Sequence, residues 1–127
     1  VIGINQYIGW FNGTPEKWDM TEWVLNLDKP YIMSEFGSSA PYNHHGDKTE
    51  RYTEEYQEYY YEKTVEMIKR ITDLSGVSPW NLTEHRSPRL NTPGIEDGFS
   101  RAGLISVKGQ RKKAFYVMKR YFMEFNK

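Results

Sequence analysis

Apolar runs bounded by turn residues occur at three places in the chain, and helical apolar spacing fills the gaps between them. Val1-Ile2-Gly3-Ile4 opens a run that predicts a first strand over residues 1–8. Thr14-Pro15 then starts a helix well, because threonine caps and proline suits the first helical position. Trp18, Thr21, Val24 and Leu25 sit at helical spacing, which predicts a helix over residues 18–27 that Lys29-Pro30 ends. A second strand follows Pro30. After a polar loop over residues 38–48, Tyr52, Tyr56, Tyr60, Met67, Ile71 and Leu74 recur at three-, four- or seven-residue steps, with Val65 and Ile68 widening the stripe. This predicts a helix over residues 49–74 with a tyrosine-rich packing face, closed by Gly76.

A third strand is expected over residues 77–82, then a Pro/Gly/Arg-rich loop over residues 83–103. Leu104-Ile105-Ser106 reads as a short extended piece. The last helix is expected from near Gln110, with Ala114, Phe115, Met118, Tyr121, Phe122 and Phe125 on one side and basic residues on a solvated opposite face. Strand and helix alternate three times, the order of parallel strands joined by crossover helices. Three parallel strands alone leave two open edges, so the pattern makes better sense within a larger barrel. The direct opening into a strand, without methionine, carries the same expectation of a piece of something longer.

Composition narrows the function. Seventeen basic residues balance seventeen acidic ones, so no electrostatic case exists for nucleic acid or an anionic membrane. No apolar run approaches the length that spans a bilayer. The chain has no cysteine, which excludes a disulfide framework and a thiolate metal site. His44-His45 lacks a clear ligand set and reads as solvated loop histidines, so no metal or cofactor is expected. The 127 residues hold four Trp, ten Tyr and six Phe. Flat aromatic faces suit a carbohydrate, and equally an ordinary core.

Chemistry concentrates at the strand ends. Tyr31-Ile32-Met33-Ser34-Glu35-Phe36-Gly37 is an apolar run that stops on a carboxylate. A carboxylate beside a dry core is costly unless paired or used, and the carboxyl ends of parallel strands line active sites. The alternative is a glutamate that turns to water. The first strand ends in Asn5-Gln6-Tyr7-Ile8-Gly9-Trp10-Phe11 and the third in Pro79-Trp80-Asn81-Leu82-Thr83-Glu84. A carboxylate, a phenol, an amide and an indole around one mouth suit a sugar.

Asn5-x-Tyr7-x-Gly9-Trp10-Phe11, Ile32-Met33-Ser34-Glu35-Phe36-Gly37 and Trp80-Asn81-Leu82-Thr83-Glu84 resemble, in order, the sixth-, seventh- and eighth-strand motifs of glycoside hydrolase family 2. Pro93-Gly94-Ile95-Glu96-Asp97-Gly98, Gly103-Leu104-Ile105 and the last helix resemble that family's closing segment. The resemblance covers nearly all of residues 1–127. It implies an α/β fold, a partial (β/α)8 barrel forming the C-terminal part of a catalytic domain, whose partner is the remainder of the barrel. It also implies a retaining β-glycosidase, with Glu35 as nucleophile, Tyr7 hydrogen-bonded to it, Trp80 in the sugar-binding wall and Asn5 orienting neighbours or contacting the sugar.

Two departures shape the expectation. The family's acid/base glutamate lies in a fourth-strand Asn-Glu pair, and no Asn-Glu occurs here. Its glucuronide-processing members carry Asn-x-Lys-Gly, where this chain has Ser100-Arg101-Ala102-Gly103. A neutral β-hexoside such as a β-galactoside is therefore expected, with Arg101, Arg86 or Arg89 able to stand in for the lysine if the substrate is a glucuronide. A non-catalytic carbohydrate-binding or structural role is the alternative. Glu84 reads as a rival carboxylate or a salt-bridge partner of Arg86.

Overall fold

The computed structural model describes residues 1–124; the expected place of Phe125 in the last helix lies outside them. Three parallel strands, β1 (Ile2–Asn5), β2 (Tyr31–Glu35) and β3 (Leu74–Val77), form a sheet in sequence order. Helices α1 (Glu54–Ile68) and α2 (Lys113–Glu124) pack on each other. Short antiparallel strands β4 (His85–Arg86) and β5 (Phe99–Ser100) clip the loop after β3. The sheet is small and open at both edges.

The expected α-helix over residues 18–27 is not present. Pro15–Met20 forms a 3-10 turn instead, and the chain then runs extended from Thr21. Its apolar spacing is not a core stripe, since Val24 is exposed. Trp23 stacks on buried Trp18 and donates its indole N–H to Met67 Sδ at 3.0 Å. Continuing the helix would carry Trp23 off that contact. Boundaries elsewhere also shift. β1 stops at Asn5, where its register against β2 slips. α1 starts at its Thr53 cap, whose Oγ1 accepts from Tyr56 N–H at 3.0 Å. It ends at Ile68, because Leu74 and Gly76 belong to β3, opposite Tyr31 and Ile32. The third strand thus comes earlier than the apolar run over residues 77–82 suggests.

The core lies between sheet and helices. Trp18, Met33, Phe36, Tyr60, Tyr61, Met67 and Met118 are almost wholly buried. Tyrosines of α1 meet β2, and Met118, Val117 and Tyr121 of α2 close over α1.

A buried ion cluster holds the loops together. Lys112 is completely buried. Its ammonium lies 2.7 Å from Glu84 Oε1, and donates to the carbonyls of Ala40 at 2.5 Å and Arg101 at 2.9 Å. Arg101 Nη1 reaches Glu84 Oε2 at 2.9 Å, and its Nε donates to Ile95 O at 3.0 Å. Glu84 is therefore not paired with Arg86, which is exposed on β4. Gly103 passes so close that an added Cβ would sit 2.1 Å from Glu84 N. Burial pulls the Lys112 pKa down, with Glu84 opposing it.

Removing one partner of a buried pair strands the other charge, a loss of about 3–5 kcal/mol. Glu84→Ala should lower stability by that order, and adding Lys112→Met should recover part of the loss. Urea unfolding of both single mutants and the double mutant checks this; strictly additive losses would contradict it.

Candidate active site

β1 and β2 end side by side, with Asn5 opposite Glu35. Gln6 N–H extends the ladder by donating to Glu35 O at 3.0 Å. The chain then coils through Tyr7–Phe11, with the N–H groups of Trp10 and Phe11 both donating to Tyr7 O at 3.0 and 2.9 Å. Gly9 permits this turn: its φ is +87°, and any Cβ would meet the Pro15 backbone at 3.0 Å. The coil returns Tyr7 over the end of β2, where its hydroxyl donates to Glu35 Oε2 at 2.9 Å. Burial first, and then this hydrogen bond and the carboxylate's charge, push the Tyr7 pKa up. The phenol accordingly stays protonated and remains a donor.

Asn5 accepts from Ser34 Oγ at 2.7 Å. The third strand end is fixed by Trp80 N–H donating to Phe36 O at 2.8 Å. Gly37 allows this approach, because a Cβ there would fall 2.2 Å from Trp80 O. Trp80 keeps an exposed face and meets His85 edge-on, ring centroids 6.1 Å apart. The Trp80-Asn81 peptide is cis.

A cavity of about 280 Å³ opens beside these strand ends. Tyr7, Phe11, Trp80, Ser38, Arg51 and Ser100 are among its walls. Larger depressions lie elsewhere, against residues 19–25 and beside β3. Of the residues singled out from sequence, Tyr7 and Trp80 face the cavity directly. Glu35 joins it through Tyr7, whereas neither Asn5 nor its partner Ser34 lines it. Arg101 is not among the lining residues; its guanidinium is committed to Glu84 and Ile95 and lies over the Phe99 ring.

Sequence reasoning missed Arg51, Ser38 and Lys112. Arg51 sits in a polar loop with no distinguishing pattern, and Lys112 is hidden among Arg111 and Lys113. His45 is exposed and contacts Glu55, whereas His44 is half-buried. Among the described residues no group of His, Cys, Asp and Glu could hold a metal ion.

No family model matches the chain. A β-glucuronidase of Paenibacillus borealis is 28% identical over 123 residues, covering 91% of this chain and 18% of that protein. A glycoside hydrolase family 2 β-galacturonidase from Eisenbergiella tayi, bound to galacturonate, shares the fold at TM-score 0.78 and 20% identity, over 96% of this chain and 23% of that one. The chain is similar to a segment of glycoside hydrolase family 2 proteins. The β-D-glucuronidase of Dictyoglomus thermophilum superposes at TM-score 0.81 and 25% identity, covering 95% of this chain and 22% of that one. The chain thus spans about a fifth of the length of the curated relatives it matches.

Tyrosine burial in this chain sets a pH limit. Tyr7, Tyr56, Tyr59, Tyr60, Tyr61 and Tyr121 all have pKa values raised above 10, in each case first by burial. A phenol with a raised folded-state pKa contributes stability that is fully present below pH 10 and is lost as pH rises through the folded value. Lys112, with its pKa lowered, acts in the opposite sense just below the ordinary lysine value, but six groups oppose one. Stability should fall steeply above pH 10. The Tyr61 hydroxyl has no hydrogen-bond partner, so Tyr61→Phe removes a titrating group without breaking a bond. Its alkaline unfolding midpoint, followed by far-UV circular dichroism, should move upward; an unchanged or lower midpoint would contradict the burial argument.

Proposed function

We propose that this chain forms the sixth to eighth βα units of a (β/α)8 catalytic barrel in a retaining β-glycosidase, and carries the nucleophile half of its site. The observation that carries this reading is the 2.9 Å hydrogen bond from Tyr7 to Glu35 at the carboxyl ends of two adjacent parallel strands. Three strands with two open edges suit a sheet continued by further units.

In this mechanism the Tyr7 hydroxyl steadies one carboxylate oxygen of Glu35 and leaves the other to attack the anomeric carbon. Because the phenol stays protonated, it goes on donating to the carboxylate and holds it aimed. Trp80 supplies a flat wall for the sugar ring, and Asn5 holds Ser34 at the rim. An acid/base carboxylate from another part of the barrel protonates the leaving oxygen, then activates the water that cleaves the glycosyl-enzyme.

The substrate we propose is a β-uronide. Proteins named β-glucuronidase and β-galacturonidase are similar to this chain, and its cavity contains a cation, Arg51. The neutral β-hexoside remains the second reading. It rests on Ala102 standing where the sequence resemblance places a lysine.

The test is a full-length protein bearing this segment. A 2-deoxy-2-fluoro glycoside should label Glu35 covalently, as read by mass spectrometry of the digested protein, and Glu35→Gln should abolish turnover. The 127-residue chain alone should be slower by about 100- to 10,000-fold, the contribution of general acid catalysis. Labelling of another residue, or turnover that survives Glu35→Gln, would overturn the assignment. Sugar binding without hydrolysis would favour a carbohydrate-binding role.

A further inference from the structure

The cavity beside the strand ends contains a cation without an ion pair and a buried hydroxyl without a hydrogen-bond partner. Arg51 lines it, with its guanidinium 4.8 Å from the centre of the Trp10 ring and one Nη donating to Trp10 O. Among the described residues Arg51 forms no ion pair. Glu96 also lines the cavity, but its carboxylate is already engaged by Thr92, accepting from the backbone N–H at 3.1 Å and from Oγ1 at 2.6 Å. The field of Arg51 is thus not neutralised by a contact.

Ser38 lines the same cavity, is 1% exposed, and has no hydrogen-bond partner for its Oγ. Buried hydroxyls are nearly always satisfied, so a ligand oxygen is the natural partner for this one. A guanidinium has five donors arranged as a fork, and the carbonyl of Trp10 and the hydroxyl of Tyr56 engage only part of it. The segment 100–103 offers no equivalent. Arg101 is held by Glu84, Lys112 is enclosed, and Ala102 supplies a methyl group.

We infer that Arg51 and Ser38 recognise the carboxylate of a hexuronic acid, making the loop after β2 the determinant of uronide specificity. The inference rests on the β-uronidase reading above. A carboxylate entering a partly enclosed site must replace its water with strong donors. Arg51 gives a charged fork and Ser38 a neutral donor, while Trp80 and Tyr7 flank the ring. The placement of the guanidinium over the Trp10 ring fixes the fork in advance, which reduces the ordering cost on binding.

The experiment compares kcat/KM for nitrophenyl β-D-glucuronide, β-D-galacturonide and β-D-galactoside in the full-length protein bearing this segment, since that ratio measures differential transition-state binding. Arg51→Met keeps a stem to pack on Trp10 and removes the fork. The uronide-to-galactoside ratio should fall roughly 10- to 100-fold, the usual loss of a charged hydrogen bond. Ser38→Ala, a smaller change, should lower the same ratio several-fold. An unchanged ratio in both variants, or equal losses on all three substrates, would overturn the inference and leave Arg51 as a structural clamp on Trp10. A wild-type preference for the galactoside would overturn it as well. Failure of all three substrates, with no labelling of Glu35, would instead sink the glycosidase reading; the inference would then fall with it.

Discussion

A single buried ammonium constrains the geometry of the whole strand-end surface. Lys112 is taken wholly out of water, a cost that only close oxygen partners can offset. Those partners come from three separate stretches: the Glu84 carboxylate after β3, the Ala40 carbonyl after β2 and the Arg101 carbonyl after β5. Each must arrive within hydrogen-bond range of one point. The loops that wall the cavity are therefore positioned from behind, and Gly103 exists to let the backbone of Glu84 pass.

The second constraint lies at the front. Parallel pairing of β1 with β2 brings Asn5 beside Glu35, but pairing alone does not aim a side chain. The left-handed Gly9 turn does, by folding residues 7–11 back so that Tyr7 reaches Glu35. Tyr56 reinforces the turn by donating to Gly9 O. Gly37 then lets Trp80 approach β2. Two glycines with different roles, one conformational and one steric, thus place the phenol on the carboxylate and bring the Trp80 backbone against the end of β2.

Much of this was legible from residue order. β2 could be found because its apolar run is short, bounded by Pro30 and ends on a charge. The parallel order of three strands followed from their alternation with helical stretches, and the stripe of α1 from its spacing. The helix over residues 18–27 misled because local spacing cannot reveal where a stripe faces. Val24 and Trp23 sit one residue apart in sequence, yet Val24 is exposed and Trp23 is held by Met67 from α1. Likewise Gly76 reads as a helix stop, while pairing with β2 makes it a strand residue. The Lys112 cluster was illegible for a stronger reason. A lysine in a run of basic residues looks solvated unless its distant carboxylate is known, and Glu84 is 28 residues earlier in the chain.

The two ends of the site differ in what each can change. Arg101 cannot both neutralise Glu84 and serve a ligand carboxylate, because pulling its guanidinium forward would leave Glu84 with Lys112 alone in a buried setting. The segment around residues 100–103 is thereby fixed by folding. The loop over residues 38–53 is held differently. Its early part is tied down by the Ala40 carbonyl, and its later part by Glu54, which accepts from the N–H groups of Asn43 and Lys113, and by the Thr53 cap. The side chain of Ser38 takes part in none of those anchors, and that of Arg51 reaches Trp10 rather than the buried ion cluster. Recognition chemistry is least costly to place on side chains outside the buried ion cluster, which favours the loop after β2 as the proposed recognition element.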